Sequence, residues 1–187
     1  MNGERAPEEQ QLPQLVMRRD SLSDLPDIVL PAGYRLRHFE PGDDMHWERL
    51  VELSFGWTRS FAEQIGGNAY FRAERVLFIC CGDIPAATAT AWHEPKWGEA
   101  CGYLHMVGVH PDHGGKGLGY AASLAALRQM REDGRRHAVL ETDDFRLPAI
   151  KIYKKLNFNP VYEHDNHPKR WEQVYRKLGL HLEERGE

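Results

Sequence analysis

The apolar positions of this chain change period along its length, and each period predicts an element. Tyr34 to Phe39 alternates apolar and polar, which suits a half-buried strand. Pro41-Gly42-Asp43-Asp44 reads as a turn into a helix cap, and Trp47, Leu50, Val51 and Ser54 follow at helical spacing. A second helical stretch is expected over Ser60 to Arg72, interrupted at Gly66 and Gly67. Val76 to Cys81 is a short buried strand, Gly82-Asp83 a hairpin turn, and Ile84 to His93 the next strand. A loop over Glu94 to Gly98 leads into a strand from Glu99 to Val109.

After this meander the pattern becomes βαβ. Gly114 to Gly119 is a glycine-rich turn. A helix follows to about Glu132, with Leu118, Ala121, Ala122 and Ala125 on one face. Asp133-Gly134 ends it. His137 to Thr142 is a strand, Pro148 to Leu156 a short helix, and Phe158 to Glu163 and Trp171 to Leu178 are expected to be closing strands. The prediction is one α/β domain over residues 33–180. Its mixed, mostly antiparallel central sheet has about six to seven strands flanked by helices. Residues 1–32 read as an N-terminal extension, irregular over residues 14–33 and disordered up to about Leu12. Residues 181–187 read as a tail.

Composition narrows the function classes only a little. The chain has 187 residues, 41% of them hydrophobic and 28% charged, which suits one packed domain. A formal net charge of −4 argues against non-specific nucleic-acid binding and leans towards a cationic or neutral substrate. No segment has the apolar length of a membrane span, and the polar N-terminus is unlike a signal peptide. The three cysteines, Cys80, Cys81 and Cys101, fit neither a zinc pattern nor a disulfide framework. A reducing, cytoplasmic compartment is the expectation. His110 with His113, and His164 with Asp165 and His167, are weak metal candidates by spacing, and no metal is expected.

The chemistry concentrates between Val107 and Tyr120. A strand ends, a glycine-rich loop turns and a helix begins. Glycines let several backbone N–H groups point into one concavity, and the helix N-terminus adds its own donors and dipole. That dipole contributes about 0.3–1 kcal/mol to a bound anion. Lys116 adds a full charge, so the turn suits a pyrophosphate. A P-loop is ruled out because Lys116 is followed by Gly117 rather than Ser or Thr. Gly115, Gly117 and Gly119 give GxGxG, which is not the dinucleotide fingerprint.

Val109-His110-Pro111 followed by Gly114-Gly115-Lys116-Gly117-Leu118-Gly119 resembles the GCN5-related N-acetyltransferase superfamily. Its members carry Gln/Arg-x-x-Gly-x-Gly/Ala after a strand ending in Val-x-Pro. Gly114 departs from that pattern at the Gln/Arg position. About forty residues on, Ala149, Tyr153 and Phe158 match a later motif, with Asn157 in place of a glycine and Arg146 in place of an asparagine. There is a weaker likeness to mycothiol synthase-like members over Leu140 to Tyr153. The resemblance implies acetyl-coenzyme A as co-substrate, with Met106, Val107, Gly108 and Val109 along the pantetheine arm. Gly114, Gly115, Lys116, Gly117, Leu118, Gly119 and Tyr120 would hold the phosphates, helped by Arg146.

The same resemblance implies that Tyr153 assists the leaving thiolate. A phenol has an ordinary pKa of about 10 against about 8.5 for a thiol, so a hydrogen bond is favourable and full transfer mildly uphill. The amine must lose a proton, for which His105, Glu99 and, less directly, Glu141 are candidates, as is ordered water. Trp57, Phe61, Tyr70, Phe71, Trp92 and Trp97 supply aromatic surface near the expected acceptor cleft, most of them as core residues, and Glu94 and Glu99 could receive a cationic amine. The reading is acetyl transfer to a primary amine of a small molecule in a ternary complex, with room for a homodimer. A coenzyme A-binding sensor without turnover and transfer of a longer acyl group are the alternatives.

Overall fold

The computed structural model describes residues 12–181. Most of the segment expected to be disordered, and the tail beyond His181, lie outside the described residues. The chain builds one seven-stranded sheet from β1 (Leu15–Arg19), β2 (Tyr34–His38), β3 (Val76–Cys81), β4 (Ile84–Trp92), β5 (Cys101–Val109), β6 (His137–Thr142) and β7 (Asn159–Val161). The spatial order is β2-β3-β4-β5-β6-β1-β7. Every neighbouring pair is antiparallel except β5 with β6.

Alternation along the strands divides the interior into two cores. Leu77 and Ile79 of β3 face one side, together with Leu15 and Met17 of β1. Val76, Phe78 and Cys80 of β3 face the other, with Val16 of β1. The first side is covered by α2 (Leu118–Glu132), α3 (Leu147–Lys155) and α4 (His167–Leu178). The second is covered by α1 (Asp44–Phe55), through Trp47, Leu50 and Val51. Arg37 of β2 anchors the start of α1 by a bidentate ion pair to Asp43, at 2.5 and 2.8 Å.

Three elements differ from the sequence expectation. Leu15–Arg19, read as irregular, is an interior strand between β6 and β7, with four of its five residues buried. A strand covered on both faces shows no alternation, and five residues are too few to betray it otherwise. Trp171 to Leu178, expected to be a strand, is part of helix α4. Trp171, Val174, Tyr175 and Leu178 are spaced i, i+3, i+4, i+7, and Pro168 sits in the first turn, where proline is tolerated. The helix expected over Ser60 to Arg72 shrinks to one π-helical turn at Ala62–Gly66. The loop from Glu94 runs two residues further than expected, to Ala100, before β5 begins.

β1 can be tested by two neighbouring substitutions. Met17 is fully buried, whereas Arg18 beside it is exposed and pairs with Asp20. Met17→Ala should lower unfolding stability by about 2–5 kcal/mol, and Arg18→Ala by less than about 1 kcal/mol. Urea denaturation of both variants checks this. Equal, small effects would be inconsistent with a strand buried inside the sheet.

Candidate active site

The site is made where β5 and β6 part. They pair in parallel over Cys101, Gly102 and Tyr103 alone, and beyond Tyr103 no ladder joins them. β4 stays with β5 to Val109, but Thr88 opposes Gly108 while Thr90 opposes His105. Three steps on β5 thus face two on β4, which is a bulge. Met106 takes up the extra residue with φ +49, one of two non-glycine residues with positive φ among the described residues. A bulge bends its strand and re-aims its side chains. Here it accompanies a cleft of about 220 Å³ between the strands.

One wall of the cleft is Leu104 to Val107 and the other Glu141 to Asp143. Ala149 and Tyr153 of α3, and Phe55, Trp57 and Arg59 from the end of α1 and its following loop, complete it. The Tyr103 hydroxyl donates to Glu141 Oε2 at 2.8 Å, joining the strands just where they separate. Burial, then the Glu141 charge, pushes the Tyr103 phenol well above its ordinary range, so it stays a donor. Glu141 is also paired with Lys96, at 2.8 Å.

The glycine turn lies beyond the end of β5. Gly115 and Gly117 have φ +73 and +76, values that a side chain would strain. Gly117 is the N-cap of α2. From Gly115 to Tyr120 the six successive backbone N–H groups have no hydrogen-bond acceptor among the described residues. That is a donor array without partners at a helix N-terminus, the arrangement an anion needs. A hollow of about 580 Å³ adjoins it, lined by Lys116, Gly117, Tyr120, Ile152 and Lys155 on one side and by Asp27, Val29, Leu30 and Pro31 on the other.

The predicted residues are distributed unevenly over these two places. Met106, Val107, His105, Arg146 and Tyr153 line the cleft. Gly115, Lys116, Gly117, Leu118, Gly119 and Tyr120 form the turn, Leu118 through its backbone alone because its side chain is buried in the core. Gly108 faces α1, where a Cβ would come within 2.9 Å of Ser54 Oγ. Val109 accepts a hydrogen bond from the same Ser54 at 3.0 Å. Gly114 stands outside the donor array, since its N–H is spent on Pro111 O at 3.1 Å.

Glu99 is not brought to the cleft. It lies in the turn before β5, its side chain 86% exposed and paired with Arg135 and His93. The Arg135 hydrogen bond, then His93, holds its carboxyl below the usual range. Glu94 also lies outside the cleft lining. Phe61 and Trp92 are core residues, and Phe71 and Trp97 pack against them, whereas Trp57 reaches the cleft. Tyr70 stacks edge-on against His93 instead. Sequence reasoning missed Arg59, Asp143 and Gln14, which come from loops and strand ends with no periodic signal, and Gln64, which lies in the π-helical turn. His113 is held by the Tyr34 hydroxyl at 2.8 Å, and no group of three or more metal-ligating side chains occurs among the described residues.

Besides Tyr103, two groups in the cleft are strongly shifted. Burial pushes His105 down to about 4, against a smaller opposing pull from Glu141. It is therefore a neutral imidazole near pH 7, able to accept a hydrogen bond but reluctant to hold a charge. Burial also pushes Tyr153 up to about 12, partly offset by Arg146. The Tyr153 hydroxyl has no hydrogen-bond partner among the described residues. Asn157, at the end of α3, has φ +58, the left-handed cap expected where family members carry glycine.

The acetyltransferase (GNAT) family profile matches residues 42–158, more than half of the chain, and the chain belongs to that family. Mycothiol acetyltransferases are among its similar relatives. The one from Acidothermus cellulolyticus is 30% identical over 77% of this chain and 50% of its own length. The one from Saccharomonospora viridis is 34% identical over 79% and 53%. The chain thus spans about half the length of these curated relatives. A GCN5-related N-acetyltransferase from Sphaerobacter thermophilus shares the fold at a TM-score of 0.62, with 19% identity over 80% of this chain and 50% of that one. The ribosomal-protein-S18-alanine N-acetyltransferase from Escherichia coli does so at 0.56, with 20% identity over 69% and 79%. No helix among the described residues is long and apolar enough to cross a membrane.

His105 makes a pH-dependent contribution to stability. Its folded pKa lies below the ordinary 6.5, so the unfolded chain binds the proton more tightly. The contribution is complete above pH 6.5 and is lost as pH falls towards 4. His105→Gln should therefore flatten the acid side of the stability curve across that window, by about 1–3 kcal/mol. Urea midpoints at several pH values measure it, and parallel wild-type and variant curves would place His105 in a far more hydrated setting.

Proposed function

We propose that this domain transfers the acetyl group of acetyl-coenzyme A to a primary amine of a small molecule by direct attack. The observation that carries the reading is the Tyr153 hydroxyl. It is an unpartnered phenol in the cleft that opens between β5 and β6, on the helix that also borders the hollow by the glycine turn. Six free N–H groups and Lys116 suit a pyrophosphate, and the open edge of β5 from Met106 suits the pantetheine amides. Relatives named for mycothiol favour a small-molecule acceptor.

In this reading the amine nitrogen attacks the thioester carbonyl carbon, the C–S bond breaks, and sulfur leaves with the bonding electrons. Tyr153 donates a hydrogen bond to that sulfur. Its pKa near 12 exceeds that of an ordinary thiol by about 3–4 units, so full proton transfer costs about 5 kcal/mol. The same burial raises the thiolate's proton affinity and narrows that gap. The amine arrives neutral. Surroundings that keep His105 uncharged also favour the free base of an amine beside it. The excess proton then leaves through His105, Glu141 or water.

Direct attack fits the cysteines. Cys80 and Cys101 are buried, burial pushes both thiols up, and no cysteine lines the cleft. An acyl-enzyme through an activated thiolate has no candidate among the described residues.

Calorimetric titration with acetyl-coenzyme A should show binding in the wild type and none in Gly117→Glu, where a carboxylate would enter the donor array. Tyr153→Phe should keep binding and lower kcat by about 10²–10⁴-fold. Undiminished kcat in Tyr153→Phe would remove the proposed acid, and no binding by the wild type would remove the coenzyme.

A further inference from the structure

The charges around the cleft are almost fully matched. Asp143 is paired with Arg146 at 3.0 Å and also accepts from Gln14 at 3.1 Å. Glu141 is paired with Lys96 and accepts from Tyr103. His105 is neutral near pH 7. One cleft residue is left over. Arg59 has no carboxylate within ion-pair distance, and its guanidinium donates no hydrogen bond, among the described residues.

Arg59 is nevertheless held. Its guanidinium lies 4.3 Å from the centre of the Trp57 ring, and Trp57 packs on Phe55 at 5.1 Å. Phe55 in turn carries the Arg146 guanidinium at 4.4 Å. This contact rests the exposed Arg59 guanidinium on the Trp57 ring without using a hydrogen-bond donor. Its five N–H donors meet no acceptor among the described residues, and their planar arrangement matches an oxyanion in bidentate fashion. The lean towards a cationic or neutral acceptor is drawn from net charge and from Glu94 and Glu99, neither of which lines the cleft.

We infer that the acceptor carries an oxyanion besides its amine, a carboxylate or a phosphate, and that Arg59 on its Trp57 shelf binds it. This rests on the acetyltransferase reading above. Arg59 then orients the acceptor and selects it, while the chemistry stays with the groups where β5 and β6 part. An amine without the anion loses a charge-assisted hydrogen bond and leaves the guanidinium unmatched.

The test uses matched acceptors that differ only in charge. The free amino acids are compared with their primary amides, and O-phosphoethanolamine with ethanolamine, by coenzyme A release from acetyl-coenzyme A. The anionic member of at least one pair should be preferred in kcat/KM by about tenfold or more. The amino-acid pairs report a carboxylate and the ethanolamine pair a phosphate. Arg59→Gln should erase the preference mainly through KM, and Arg59→Lys should keep part of it. Amides or ethanolamine used as well as their anionic partners would overturn the proposal, as would a preference that survives Arg59→Gln. So would a wild type that binds acetyl-coenzyme A yet acetylates none of the anionic amines. Absence of coenzyme binding would instead overturn the acetyltransferase reading itself.

Discussion

The structure depends on a parallel pair that stops after three residues. Cys101, Gly102 and Tyr103 hold β5 against β6, and from there the strands separate. A sheet interrupted in this way has unpaired backbone along both inner edges, which in a packed interior needs compensation. Several neighbours keep the gap open. The bulge at Met106 turns β5 away, Ser54 of α1 holds Val109 by its carbonyl, and α3 sets Ala149 and Tyr153 into the gap. The Tyr103–Glu141 hydrogen bond closes the vertex.

The two ends of the separated region differ in chemistry. The turn at Gly115 to Tyr120 presents backbone donors, whose strength does not depend on side-chain identity. The cleft works through desolvation, which keeps His105 uncharged and Tyr153 protonated across the physiological range. Its carboxylates are matched within the fold, so the local field differs from what the overall charge of −4 suggests. Net charge describes the whole surface, whereas a site responds to the few groups within a Debye length of it.

The glycine turn, Tyr153 and the meander were legible because each has a local signature: positive-φ residues before a helix, a spaced motif, strands with short turns. The sheet's character was legible for the same reason. β1 was not, because Leu15 to Arg19, with four of its five residues buried, carries no alternation. Helix α4 was misread because its aromatic and β-branched residues favour strands while their spacing is helical. In the cleft, Arg59 and Asp143 from loops and Gln64 from the π-helical turn meet only through tertiary structure. Glu99 was misplaced because β5 begins two residues later than its pattern suggested, leaving the carboxylate in a turn with Arg135 and His93.

The position of β1 also bears on the order in which the chain can mature. Leu15 pairs with Thr142, and Val16 with Val161, so both partners of this early strand are translated late. While the ribosome is still making the first helices, β1 has no edge to join and its apolar residues wait unsheltered. The meander from β2 to β5 can assemble from short-range contacts, but the second wall of the cleft cannot. Contacts between residues so distant in sequence slow folding, since the loop must close before the pairing can reward it. The half of the sheet that carries the separated strand β6 is therefore completed last, after nearly the whole described chain has emerged.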